Sequence, residues 1–177
     1  MNEPLHAPVD SLDDTRWNRL IAEHRDAVFR LAYLLLGDAH EAEDVAQDVF
    51  VRAFRAWERY DQNRPLRPWL LRITTNLVAN RRRSLARAFA AFTRLGRETP
   101  EFAPDIALAN QARHEAQELW RAVRQLRQTD QQIIYMRYFL DLPEADMAQA
   151  LAIAAGTVKS RLHRALVRLR SRQCAPR

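Results

Sequence analysis

The chain has 177 residues, 28 Lys plus Arg against 22 Asp plus Glu, a net charge of +6, 3 Gly and 1 Cys. An apolar share of 47% can build a core, which excludes wholesale disorder. The lone Cys174 excludes an intrachain disulfide and a cysteine-based metal site. The longest apolar runs, such as Leu34-Leu35-Leu36, are too short to span a bilayer, and the acidic opening MNEPLHAPVDSLDD is not a secretory signal. A soluble, cytoplasmic, basic protein with no membrane insertion is therefore expected. Scarce Gly with abundant Ala, Leu and Arg predicts an all-α fold.

Residues 1–14 read as a disordered tail. Over 15–36, Trp17, Leu20, Ile21, Val28, Leu31, Ala32 and Leu35 recur at helical spacing, and Gly37-Asp38 ends the pattern. A second helix is predicted over 39–59, a loop over 61–65 and a third helix over 66–84. Residues 88–107 lose periodicity and hold Gly96, Thr99, Pro100 and Pro104, as an interdomain linker does. A second helical block follows from about 109 to 173. It breaks near Thr129-Asp130, near Asp141-Leu142-Pro143 and near Ala154-Ala155-Gly156. The expected organisation is a tail (1–14), a helical domain (15–87), a flexible linker (88–108) and a second small helical domain (109–173).

Charge is staged along the chain. Residues 1–60 hold 7 Arg and 12 acids, and residues 61–98 hold 9 Arg and 2 acids. Residues 152–177 hold 7 basic residues and no acid. Basic stretches of this kind meet phosphate, or simply face solvent. Of the 28 basic residues only Lys159 is Lys. Arginine offers a planar fork suited to phosphate or guanine.

On the second helix, Ala42, Val45, Ala46, Val49, Phe50, Ala53 and Trp57 make a core stripe. Opposite them lie Asp44, Gln47, Asp48, Val51 and Arg55. That face reads either as solvated or as a docking surface for a basic partner. His40 and Asp44 sit one turn apart, but no third metal ligand converges on them. On the third helix, Leu66, Leu70, Ile73 and Leu77 are the predicted buried stripe, with Trp69 at its edge. Beside Trp69 run Arg72, Asn76, Asn80 and Arg83. The triplet Arg81-Arg82-Arg83 complements the dipole of a helix ending there. The other reading is nucleic-acid contact: Arg for phosphate, Asn for base edges, Trp for stacking on exposed single-stranded bases.

Glu144–Leu151, a turn over Ile153–Gly156, and a helix opening at Thr157 form a predicted helix-turn-helix, with Pro143 near the start and Thr157 or its predecessor as cap. A purely structural helical hairpin is the alternative. Val158, Leu162, Ala165, Leu166 and Leu169 make the apolar stripe. The other side carries Lys159, Ser160, His163 and Arg164 for base edges, with Arg161 and Arg168 for phosphates. No nucleophile–base constellation, Gly-rich phosphate loop or metal-ligand spacing is visible, so neither an enzyme nor a cofactor site is expected. A self-sufficient repressor or activator would need a dimerisation surface. A decoy that docks without reading DNA would not need the arginines and asparagines of the third helix.

Two segments carry a family resemblance: GDAHEAEDVAQDVFVRAFRAW followed by RPWLLRITTNLVANRRR, and LRQTDQQIIYMRYFLDLPEADMAQALAIAAGTVKSRLHRALVRLR. They resemble the second and fourth conserved regions of bacterial RNA polymerase sigma factors of the extracytoplasmic function (ECF) group. Two distant motifs in the right order make the likeness specific.

The resemblance implies an alternative sigma factor that binds core RNA polymerase through its beta-prime and beta subunits and directs promoter-specific initiation. Asp44, Gln47, Asp48 and Val51 match the part that docks on the beta-prime clamp helices. Asn63, Arg64, Trp69, Arg72, Asn76, Asn80 and Arg83 match the part that opens the minus-ten element of promoter DNA and captures flipped bases. Thr157, Lys159, Ser160, Arg161, His163, Arg164 and Arg168 match the reader of the minus-thirty-five element. The linker would thread toward the RNA exit path, and an anti-sigma factor would hold the protein inactive.

Overall fold

The computed structural model describes residues 14–93 and 110–173, and every regular element in it is helical. Helix α1 spans Asp14–Leu36 and buries Leu20, Val28, Leu31, Ala32 and Leu35, one face of a 3.6-residue period. It stops at Gly37, which adopts φ +78°, and whose N–H bonds the Tyr33 carbonyl at 2.7 Å. A side chain on Gly37 would be strained and would run into the Arg124 guanidinium. Asp38 then caps α2 (Ala39–Arg55), its Oδ1 accepting from the Glu41 N–H at 2.9 Å.

Helix α2 buries Ala42, Val45, Ala46, Val49, Phe50 and Ala53. The predicted second helix ran to 59. The α-helix ends at Arg55, and a 3-10 turn over Trp57–Arg59 swings the Trp57 ring into the core. Trp17 meets Phe50, Phe54 and Trp57 edge-on, at 6.3, 5.3 and 6.1 Å between ring centres.

Helix α3 spans Leu66–Thr93, well past the predicted end at 84 and into the stretch expected to be linker. The sequence SLARAFAAF has no Gly or Pro and is rich in helix formers, so fading amphipathicity does not end the helix there. The triplet Arg81-Arg82-Arg83 therefore lies in mid-helix, and the dipole argument for it fails. Leu70 and Leu77 are buried as expected, but so are Leu71, Thr74, Thr75 and Val78. The reason is that α3 packs on α1 and α2 on one side and on α6 on the other. The two buried hydroxyls bond back to their own helix, Thr74 to the Leu70 carbonyl and Thr75 to the Arg72 carbonyl, each at 2.9 Å.

The second group comprises α4 (Asn110–Arg124), α5 (Gln128–Tyr138), α6 (Glu144–Leu151) and α7 (Ala155–Gln173). The break before α5 falls at 125–127, not at Thr129-Asp130. Asp130 is the third residue of α5, where a carboxylate suits the helix N-terminus. Ile133, Ile134, Tyr135 and Met136 are all buried because α1, α6 and α7 surround α5. Gln131 is 2% exposed. Its Nε2 donates to the carbonyls of Val123, Arg124 and Leu126 at 3.3, 2.7 and 3.2 Å, closing the C-terminal end of α4.

The turn before α7 also differs from the expectation. The left-handed position is Ala152 (φ 52°, ψ 45°), and Ile153 N–H returns to the Ala148 carbonyl at 3.0 Å. Gly156 lies inside α7, and Thr157 is its third residue rather than its cap. The Thr157 N–H bonds the Ala154 carbonyl at 2.9 Å.

One buried cluster runs through both helix groups. Arg67 donates to the Leu140 carbonyl at 2.8 Å, and Arg82 to Gln131 Oε1 at 3.2 Å. Residues 1–13 and most of the expected linker lie outside the described residues.

Candidate functional site

Three surfaces carry the predicted site residues. The first is the outer face of α2. Gln47, Asp48 and Val51 are exposed there, Val51 at 47%. Asp44 is half-buried. Its Oδ2 lies 3.6 Å from Arg81 and 3.6 Å from His40, while Arg81 also pairs with Glu41. The outward acid of this face is thus Asp48, and Asp44 is shared with α3. Beside it Trp17, Ile21, Phe50, Val51 and Phe54 line an open, mainly apolar groove of about 720 Å³ between α1 and α2. The sequence reading missed this groove. Phe54 is one turn beyond Val51 and 53% exposed, an apolar pair at helical spacing that the charge of the face obscured.

The second surface is the loop before α3 with the exposed side of that helix. Arg72, Asn76, Asn80 and Arg83 are exposed in one row, and Asn80 Oδ1 accepts from Arg83 at 2.5 Å. In the loop, Asp61 Oδ1 accepts the Asn63 backbone N–H and its amide, both at 3.1 Å, and Arg64 stands 3.3 Å from Asp61 Oδ2. The Asn63 backbone bond chiefly, with the Asn63 amide and Arg64, holds the Asp61 carboxyl below its usual range. Tyr60 stacks on Trp69, rings 4.4 Å apart and 28° from parallel, and its hydroxyl donates to the Arg64 carbonyl. Partial burial, then Asp61, raises the Tyr60 hydroxyl pKa, so it stays a neutral donor. Tyr60 also went unread in the sequence, because only folding brings it against Trp69. The trough holds about 610 Å³ and is walled on its far side by Ala148, Gln149, Ala152 and Ile153 of α6 and its following turn.

The third surface belongs to α7. Lys159, Ser160, His163 and Arg164 are exposed, Thr157, Arg161 and Arg168 are half-exposed, and Val158 and Ala165 are buried beneath them. Lys159 Nζ sits 3.7 Å from Glu144. Arg164 Nε donates to the Ser160 carbonyl at 3.0 Å, which lays its guanidinium back along the helix. Arg168 is drawn to the side and meets Asp130 at 2.6 Å. Base-edge candidates and phosphate candidates therefore occupy adjoining strips of one helix.

Among the described residues no three His, Cys, Asp or Glu side chains gather as a metal site, and no helix is long and apolar enough to cross a membrane.

Comparison with known proteins identifies the two helix groups. Residues 20–88 match the model of Sigma-70 region 2, and residues 116–169 match that of Sigma-70, region 4. The ECF RNA polymerase sigma factor SigW of Bacillus subtilis is 31% identical over 166 residues, 89% of each chain. SigE of Mycolicibacterium smegmatis is 33% identical over 162 residues, 87% of this chain. The match covers 60% of that relative, so the chain spans about three-fifths of its length. The fold matches the sigma factor RpoE from Bartonella quintana, solved in complex with the anti-sigma factor NepR. The TM-score is 0.71 at 22% identity, covering 91% of this chain and 98% of that one. Two region matches in chain order on two helix groups, with a relative matched along nearly its whole length, place the chain in the ECF group of RNA polymerase sigma factors.

Proposed function

We propose that the chain binds core RNA polymerase, through the beta-prime and beta subunits, and directs it to promoters by reading two DNA elements. The observation that carries this is that one polypeptide presents two separate acid-poor faces, on α3 and on α7, and a third face on α2 where Asp48 and an apolar groove stand together. In this reading Asp44, Gln47, Asp48 and Val51 grip the beta-prime clamp helices, the adjoining groove taking apolar side chains. Asn63, Arg64, Trp69, Arg72, Asn76, Asn80 and Arg83 handle the minus-ten element. Thr157, Lys159, Ser160, His163 and Arg164 read the minus-thirty-five element, with Arg161 and Arg168 on its phosphates.

The work is done without a chemical step. Unpairing and unstacking cost a few kcal/mol per flipped base. A surface that binds only the flipped base shifts the population toward the open promoter. Two weak readers on one chain act together because the second contact is intramolecular. The sigma factor RpoE of Bartonella quintana was solved with an anti-sigma factor, which supports control of this chain by such a partner.

The test is run-off transcription with purified core polymerase and a genomic promoter pool. Defined start sites that appear only when the chain is added support the reading; no association with core polymerase refutes it. Asn76→Ala is expected to impair opening, read by permanganate reactivity, more than closed-complex binding. Equal loss of both would contradict the assignment.

A further inference from the structure

Beside the base-facing strip of α7 lies a smaller cavity of about 160 Å³, lined by Arg127, Thr129, Asp130, Arg161, Arg164 and Arg168. Four arginines line it against one carboxylate. That carboxylate is committed: Asp130 is 4% exposed, and its Oδ2 accepts from Arg168 Nη1 at 2.6 Å. The ion pair fixes Arg168 across the space between α7 and the first turn of α5. Arg127 occupies the cap position of α5 in an extended conformation (φ −61°, ψ 148°) and supplies no side-chain cap. The uncapped start of an eleven-residue helix therefore borders the same concavity, its dipole adding to the arginine charge.

Like charges gathered in one recess repel, and an anion relieves that repulsion. A phosphodiester suits the recess because two non-bridging oxygens meet guanidinium forks and backbone N–H groups together. Position supplies the source. Arg161, Arg164 and Arg168 share one flank of α7, and Arg164 also borders the strip with Ser160 and His163. A helix lying in the major groove turns such a flank toward the sugar-phosphate backbone.

We propose that the recess seats one phosphate of the DNA backbone. The start of α5, through Arg127 and its backbone, then grips the duplex together with α7. Asp130 is a positioning residue that aims Arg168. The inference rests on the reading of α7 as the DNA-facing helix.

The experiment is a salt-series titration of the full chain with a duplex of about two helical turns. It is followed by NMR on the backbone amides and the arginine Nε–H signals, with inorganic phosphate alone as a second arm. The duplex is expected to shift the amides of Gln128 and Thr129 and the Nε–H signals of Arg127 and Arg168. Arg127→Glu leaves three arginines against two acids and is expected to lower the salt slope of log Kobs by about one. A negative charge at a helix N-terminus suits its dipole, so thermal stability is expected to hold while binding falls. Asp130→Asn is expected to abolish the Arg168 Nε–H response, and Asp130→Glu to restore it.

Shifts at Lys159, Ser160 and His163 with none around the recess would overturn the seat and leave the DNA reading of α7 standing. A response to inorganic phosphate but not to duplex would overturn DNA as the source. No shift on α7 or α5 at low salt would overturn both.

Discussion

Gln131→Leu tests how the second helix group is held together. The side chain is 2% exposed, so leucine, of similar volume, leaves little cavity. What disappears is the amide. Its two N–H groups serve three carbonyls, those of Val123, Arg124 and Leu126, where α4 ends. Its oxygen receives the Arg82 guanidinium from α3. Arg82 is half-buried, and burial is the main reason its pKa is lowered, so losing an acceptor there leaves a charge with poor hydration. Each buried group left without a partner costs about 1–3 kcal/mol. The Val123 carbonyl keeps the Leu126 N–H, so two carbonyls deprived of the amide and one cation weakened give about 2–4 kcal/mol. Urea unfolding of the full chain, followed by circular dichroism, is expected to show a lower midpoint at unchanged slope. A loss below about 0.5 kcal/mol, the usual range for a surface change, would refute the capping role.

Ala152→Gly with Gly156→Ala is expected to stabilise by about 1–2 kcal/mol, since Ala152 holds a left-handed conformation that glycine adopts freely and nothing lies within 4 Å of a Cβ at helical Gly156. Thermal melts check it, and a lower midpoint would contradict it. His24 has its pKa lowered, first by burial, with Arg67 adding and Glu23 opposing. The unfolded chain therefore binds more protons, so stability is full above about pH 6.5 and falls as pH drops through the folded pKa. His24→Asn is expected to flatten that part of the pH–stability curve, and an unchanged curve would remove His24 as its source. Asp48→Arg is expected to weaken association with core polymerase roughly tenfold with a smaller salt dependence, because it reverses the more exposed acid of the α2 face; unchanged affinity in a pull-down titration would move the docking surface elsewhere.

Much of this was legible in the sequence because it is local. Helical spacing over 15–36 and the Gly37-Asp38 stop need only the chain itself, and α1 and the cap of α2 follow them closely. The exposed rows on α3 and α7 were readable for the same reason. What failed depends on partners distant in sequence. Thr74, Thr75 and Gln131 are polar, and nothing near them says that α6 or the end of α4 will cover them. The turn before α7 is expected over Ile153–Gly156, whereas Ala152 takes the left-handed position and the helix already begins at Ala155.

The arginines bring the same division to the functional surfaces. With 27 of them the composition announces a basic protein, yet charge alone cannot separate those free to meet a phosphate from those that hold the fold. The structure divides them by partner. Arg67 goes to a backbone carbonyl, Arg82 to the Gln131 amide, and Arg81 to Glu41 and Asp44, all across helix boundaries. Arg72 and Arg83 point outward from the same helix, Arg83 directly beside Arg82. On α3 the two classes interleave because the helix is covered on two sides, and about 100° of rotation per residue carries neighbouring positions onto different faces. Substituting an arginine that bridges helices then loosens packing between them, whereas on the proposed function substituting an outward one changes the salt dependence of DNA binding and leaves the packing alone. Measuring both quantities on Arg82→Ala and Arg83→Ala separates them: stability falls in the first with the salt slope intact, and the slope falls by about one in the second with stability intact. The reverse pattern would mean that exposure is no guide to which arginine reads the promoter.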